Sequence, residues 1–242
     1  MVKAASILAV ASLAAVTAFA VGPATRAATV YDGLATFELP KDWVEIPPQE
    51  LEDATMWAAE ATAGRLVEIY QYGFRPVRAN VDHGLPQLMI QVRESGRVRW
   101  GQVRKLPPLE TLKENAQAAF PVAVPPIIVG LELVDVTFDK DRFVLRMEHR
   151  LDLRLRGEVR VLTAAFLTER GWLVFHLSDR QIRIDAARQL FDKIVDSVRL
   201  DPAIAYDPRL SDRWPGLPFF IAAALTAAAL AVWLATRRRT GS

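Results

Sequence analysis

The clearest pattern in the chain is a strict alternation from Phe143 to Leu155. Phe143, Leu145, Met147, Leu151, Leu153 and Leu155 fall in one phase, and Arg146, Glu148, Arg150, Asp152 and Arg154 in the other. Successive side chains of a strand point to opposite faces, so this segment predicts an antiparallel strand with one dry face and one wet face. Residues 158–167 are apolar in both phases and predict a central strand. Glu169-Arg170-Gly171 then turns the chain, and residues 172–177 return. Upstream, residues 36–39, 43–46 and 88–92 predict further strands, closed by Pro40, Pro47-Pro48 and Ser95-Gly96. Residues 55–62 and 66–74 pattern as a hairpin across Ala63-Gly64-Arg65, the Ala-rich first half reading alternatively as a short helix. Residues 98–103 pattern as a return strand, and Leu131, Leu133 and Val136 open another extended piece. Helical spacing occurs twice. Leu109, Leu112, Ala116, Ala119 and Phe120 share one face after Pro107-Pro108. Ala187, Leu190, Phe191, Ile194, Val195 and Val198 share another, with Asp185 as the expected N-cap.

The two ends have a different character. Lys3 followed by the Ala-rich run 4–20 predicts an export signal over 1–27, cleaved after Ala20, Ala24 or Ala27, with an uncleaved anchor as the alternative. Residues 217–235 carry no charge and as a helix would rise about 28 Å, near the roughly 30 Å hydrocarbon core. Trp214 and Trp233 bracket that stretch, and Arg237, Arg238 and Arg239 follow it. The pattern predicts a transmembrane helix over 217–236, with the basic tail 237–242 held in the cytoplasm. A processed sorting signal is the competing reading, although Arg213-Trp214-Pro215-Gly216-Leu217-Pro218 matches neither LPxTG nor Pro-Glu-Pro. The expected organisation is therefore a signal peptide (1–27), an extracytoplasmic α+β domain (29–202), a stalk (203–216), and a single pass through the inner membrane.

Charge changes the picture in one respect. The whole chain is +2, but Lys3, Arg26 and the three terminal arginines are five of its 30 basic residues, while all 28 acidic residues lie within 29–213. The domain itself is mildly acidic, which argues against nucleic acid as a partner. With no cysteine there is no disulfide and no thiolate site.

Candidate chemistry is sparse. His83, His149 and His176 belong to no metal-binding spacing, and no phosphate loop, dinucleotide turn or nucleophile elbow is present. The acidic groups Glu50/Glu52/Asp53 and Asp139/Asp141 fit turns better than ligands. No catalytic, cofactor-binding or metal residue is assigned. The ladder Arg146, Glu148, Arg150, Asp152 and Arg154 has two readings: a solvated sheet face, or a docking face for a protein partner of the cell envelope. Trp57, Tyr70, Tyr72 and Trp100 are the aromatic residues that would line a small-ligand or lipid pocket.

The opening Phe37-Glu38-Leu39-Pro40-Lys41-Asp42-Trp43, with its Phe-x-x-Pro-x-x-Trp spacing, resembles the first strand of PsbP-like and DcrB-like proteins. The ending Phe191-Asp192-Lys193-Ile194-Val195-Asp196-Ser197-Val198-Arg199 resembles their closing helix. The resemblance covers roughly residues 34–201 and implies an α+β fold, a central antiparallel sheet with packed helices in an α/β/α sandwich. The charged phase of residues 143–155 departs from coverage on both sides. The family shares no catalytic motif, so the resemblance implies an accessory or assembly role. The expected function is a membrane-anchored, non-catalytic module for protein interaction or envelope complex assembly. The alternatives are a small-ligand or lipid-binding domain, and an enzyme of unrecognised class.

Overall fold

The computed structural model describes residues 24–61, 69–78, 85–103, 107–108, 110–114, 128–154, 157–209 and 212. The strands are β1 (Thr25–Val30), β2 (Ala35–Pro40), β3 (Trp43–Glu45), β4 (Tyr72–Pro76), β5 (Gln87–Arg93), β6 (Ile128–Asp139), β7 (Val144–Leu153), β8 (Gly157–Thr168), β9 (Gly171–Arg180) and β10 (Arg199–Leu200). The helices with both ends described are α1 (Pro48–Ala61), the single turn α2 (Trp100–Val103) and α3 (Ile184–Ser197), the last entered through a 3-10 turn at Gln181–Arg183. Residues 110–114, within the helix expected after Pro107-Pro108, are also helical, and the rest of that expected helix lies outside the described residues. Seven strands form one antiparallel sheet in the order β3-β4-β5-β9-β8-β7-β6, and β1-β2-β10 form a second, smaller one.

The main core lies between them. Phe37 of β2 meets Phe74 and Phe175 of the large sheet edge-on, at 5.7 and 5.2 Å between ring centroids. Helix α3 adds Ile184, Ala187, Phe191, Ile194 and Val195 to the same core. Ala187, Phe191, Ile194 and Val195 are positions its three- and four-residue periodicity predicts; Ile184 extends that stripe, and Leu190, also expected on it, is half-buried. Its N-cap is Arg183, without a side-chain capping bond. Asp185 sits instead in the first turn, where its negative charge faces the positive end of the helix dipole and stabilises it. On the other face of the sheet, α1 packs through Leu51 against Ile46 and Met89, and α2 packs Trp100 and Val103 on Leu167.

The expected α/β/α sandwich with a transmembrane helix is not what is observed. About half of the described residues are strand, with three helices. Strand β1, which the sequence pattern missed, pairs with β2 and contributes Ala28 and Val30 to the main core, so a second sheet shares the layer assigned to helices. No helix among the described residues is long and apolar enough to cross a membrane. The longest, α1 and α3, have 14 residues each, or about 21 Å of rise. The segment 217–236, with Trp214, Trp233, Arg237, Arg238 and Arg239 at its flanks, lies outside the described residues.

Two local expectations also change. Residues 55–61 belong to α1, the helical alternative and not the hairpin, and the expected return strand at 98–103 contains the helical turn α2.

Candidate functional site

Strand β7 has the two-faced pattern its sequence predicts, but the charged phase is the one that helix α3 covers. Val144 pairs with Phe166 and points into the main core. Arg146, Glu148, Arg150 and Asp152 follow it at steps of two and therefore share its face. The apolar phase, Leu145 and Leu151 among it, turns to the opposite face, where Leu145 joins Trp100 and Leu167, and Leu151 packs beside Leu85 and Val159.

Glu148 is the centre of the charged face and only 9% exposed. Arg188 of α3 donates to both carboxylate oxygens, at 2.8 Å to Oε1 and 2.9 Å to Oε2 through Nη2, and at 3.1 Å to Oε2 through Nε. Arg160, beside it on β8, donates to Oε1 at 3.0 Å. The hydrogen bond to Glu148 raises the pKa of Arg188 further; burial works the other way, and Asp185 adds to the rise. Four bonds fill the acceptor capacity of a carboxylate, so Glu148 has no lone pair left for a substrate proton. Arg146 donates to Asp192 of α3. Arg142, in the β6–β7 turn, reaches Asp196 and the Val195 carbonyl at 2.6 Å each. Arg150 pairs with Glu132 of β6 at 3.0 Å, Asp152 stands across from Gly130, and Arg154 is exposed in the turn after β7.

A cleft of about 180 Å³ opens where α3 lifts off the outer strands. Asp135 and Thr137 of β6, Arg146 and Glu148 of β7, and Arg188 and Asp192 of α3 form its polar wall. Asp135 lies directly across the ladder from Glu148, next to a register shift between Leu133 and Asp135. Among the described residues it has no ion-pair partner. Sequence reasoning did not single out Asp135, Arg160, Arg188 or Asp192. The one signal was the spacing of four between Arg188 and Asp192, which puts both on the flank of α3 that its apolar stripe leaves open.

A second ionic cluster closes the far end of the molecule. Arg97 pairs with Glu169 in the β8–β9 turn and with Asp212, and its guanidinium lies 4.4 Å from the Tyr206 ring centroid. The Tyr206 hydroxyl accepts from the Trp100 backbone N–H at 2.9 Å and donates to Asp212 at 3.1 Å. Residues 201–209 are thereby held across the β8–β9 turn, with Glu169 N–H bonded to the Ile204 carbonyl. Burial raises the pKa of Tyr206. Burial also pushes Asp212 upward, but the Arg209 backbone N–H and the Arg97 guanidinium outweigh it and hold the carboxyl below its usual range.

Of the histidines, His176 bonds Thr163 at 3.0 Å and stacks edge-on with Tyr70, His149 stands opposite Leu133 and Val161, and His83 lies outside the described residues. No group of three His, Asp or Glu side chains able to hold a metal ion occurs among the described residues. The aromatic residues expected to line one apolar pocket do not converge. Tyr72 packs on the main core, Tyr70 on the Ile46–Leu51 cluster across the sheet, and Trp100 on Leu167. The Trp57 side chain lies outside the described part of α1.

No family model matches this chain, and no curated protein matches it. Among solved structures it is similar to the solution structure of cyanobacterial PsbP (CyanoP) from Synechocystis sp. PCC 6803, with 15% identity, a TM-score of 0.44, and coverage of 75% of this chain and 95% of that one. It is also similar to the crystal structure of the Saccharomyces cerevisiae Ran-binding protein Mog1p, with 10% identity, a TM-score of 0.43, and coverage of 74% and 96%. The resemblance to PsbP-like proteins read from the sequence is thus met again in the structure, as a weak one.

Proposed function

We propose that this chain is a non-catalytic protein-interaction module that offers the β6 side of its large sheet to another protein. The observation that carries the reading is the outer edge of β6. This strand has 12 residues, and no described strand pairs with its outer side, although it borders the open cleft beside α3. An unpaired edge presents a row of backbone donors and acceptors, which is a template for another chain. The buried polar groups Glu148 and Asp212 are, in contrast, occupied by internal partners.

We place the module outside the cytoplasm on the strength of the export-type segment 1–27, and a protease-accessibility assay on intact cells tests that placement. The docking reading is tested with a photo-crosslinking side chain at Thr137 or Val129, both exposed on β6, and at Lys41 as a control. The expected result is one protein, identified by mass spectrometry, joined from both β6 positions and not from Lys41, and binding again when purified. Absence of any reproducible adduct from exposed positions over the whole domain would overturn the proposal.

A further inference from the structure

Resting on that reading, we infer that the partner contributes an extended segment with basic residues four apart and apolar residues between them, which adds as a strand to residues 135–139 of β6. Three features specify this chemistry.

The first is regularity. The register shifts of β6 lie between Ile128 and Gly130 and between Leu133 and Asp135. They blunt the edge over its first half, as bulges on edge strands do. From Asp135 to Asp139 every residue has its own partner on β7, so this run is the straight part of the edge.

The second is charge. Strand β6 carries Glu132, Asp135 and Asp139 and no basic residue. Glu132 is neutralised by Arg150. Asp139 uses one oxygen, Oδ1, to accept the backbone N–H groups of Asp141 and Arg142. Asp135 is exposed and stands opposite Glu148, whose own charge is met by Arg160 and Arg188. Directly opposed residues on adjacent strands lie about 5 Å apart at Cβ, close enough for opposite charges to attract and like charges to repel. A cation opposite Asp135 and another opposite Asp139 satisfies both. A second copy of β6 would set acid against acid, so self-pairing is disfavoured.

The third is space. The cleft is lined by Asp135 and Thr137 of the edge strand and by Asp192 of α3. Arg146 and Arg188 in its wall are already paired with Asp192 and Glu148. Its roughly 180 Å³ receives the head of one long basic side chain. On the opposite face the run presents Val136 and Phe138, both half-buried, for the apolar residues in between.

The test uses the full-length chain and two synthetic peptides, Gly-Ser-Arg-Val-Thr-Val-Arg-Ser-Gly and its counterpart with Glu in place of both Arg. The basic peptide is expected to bind, more weakly as salt is raised, and to shift the backbone amide resonances of residues 135–139. Asp135→Lys is expected to weaken it by about ten-fold and to favour the acidic peptide instead. That exchange of preference requires a folded protein, so it separates a lost contact from a lost fold. Equal binding of both peptides, no binding at millimolar concentration, amide shifts confined to another surface, or a dimer strengthened by Asp135→Lys would each overturn the inference. If the peptides fail while crosslinks from Thr137 still identify one partner, strand addition is wrong and the interaction module stands. If crosslinking fails as well, both are wrong.

Discussion

Arg188 on helix α3 grips Glu148 in the middle of β7 through two nitrogens, and that pair joins the helix to the outer half of the sheet. The inner half is joined by apolar packing of Phe191, Ile194 and Val195. One helix thus rests on two kinds of contact, and they respond differently to substitution.

Glu148→Ala removes the carboxylate that two guanidinium groups share, leaving Arg160 only Glu158 and Arg188 only Asp185 as acidic partners among the described residues. Breaking a buried pair by removing one partner costs about 3–5 kcal/mol, and Arg160 is nearly as buried as Glu148. A loss near the lower end, about 3 kcal/mol, is expected because Arg188 is 44% exposed and water reaches it. Arg188→Ala should cost clearly less, since Arg160 still meets the carboxylate. Urea unfolding of the two variants gives the comparison, and equal losses would contradict it.

Gly171→Ala tests the junction of β5 with the β8–β9 turn. Gly171 has φ +143°, and a Cβ there would collide with the Arg93 carbonyl oxygen and crowd the Ser95 amide. Strain and backbone overlap together should cost about 3 kcal/mol or more. Gly33 also has positive φ but open space around it, so Gly33→Ala should cost only about 1 kcal/mol. Thermal unfolding of both variants checks the difference.

The Asp212 latch has a defined pH window. Its folded pKa is depressed, so its stabilisation is present above the ordinary Asp value of about 3.9 and disappears as pH falls through the lower folded value. Tyr206 is raised, so its contribution is present below about pH 10 and lost as pH rises through the higher folded value. Hydrogen-exchange protection of residues 203–207, measured against the intrinsic rate at each pH, should be high at neutral pH and fall at both extremes. Asp212→Asn should lower it at pH 7 and remove the acid limb.

Strand β1 constrains maturation if the chain is exported as proposed. It begins at Thr25, which pairs with Pro40. Cleavage after Ala27 would remove the first half of the strand, including the Arg26 side chain that donates to the Trp43 carbonyl at 2.9 Å. The mature N-terminus is therefore expected at Val21 or Thr25, which intact-mass measurement distinguishes from Ala28.

Most strand positions along the chain were legible because period-two alternation and turn residues are local signals. Residues 36–39, 88–92, 158–167 and 172–177 all fall within observed strands. The amphipathic stripe of α3 was equally readable. Strand β1 was not, because its residues 25–30 follow closely on the Ala-rich apolar run 4–20 and carry little contrast with it. The helical turn at 100–103 was not either, because Trp100 and Val103 suit a strand until Leu167 is placed beside them. The resemblance at the two ends of the domain likewise concerned local segments.

The sequence by itself determined that β7 has a charged face and an apolar face, because side chains of a strand must alternate. It did not determine which face is covered. That choice depended on α3, 40 residues away, whose Arg188 and Asp192 meet Glu148 and Arg146. Charged side chains can be covered when each finds a counter-charge, and such partners are supplied by tertiary packing and not by neighbours in the chain. The edge of β6 and Asp135, without an ion-pair partner among the described residues, arise in the same way, since a strand becomes an edge only when the rest of the sheet has been assembled.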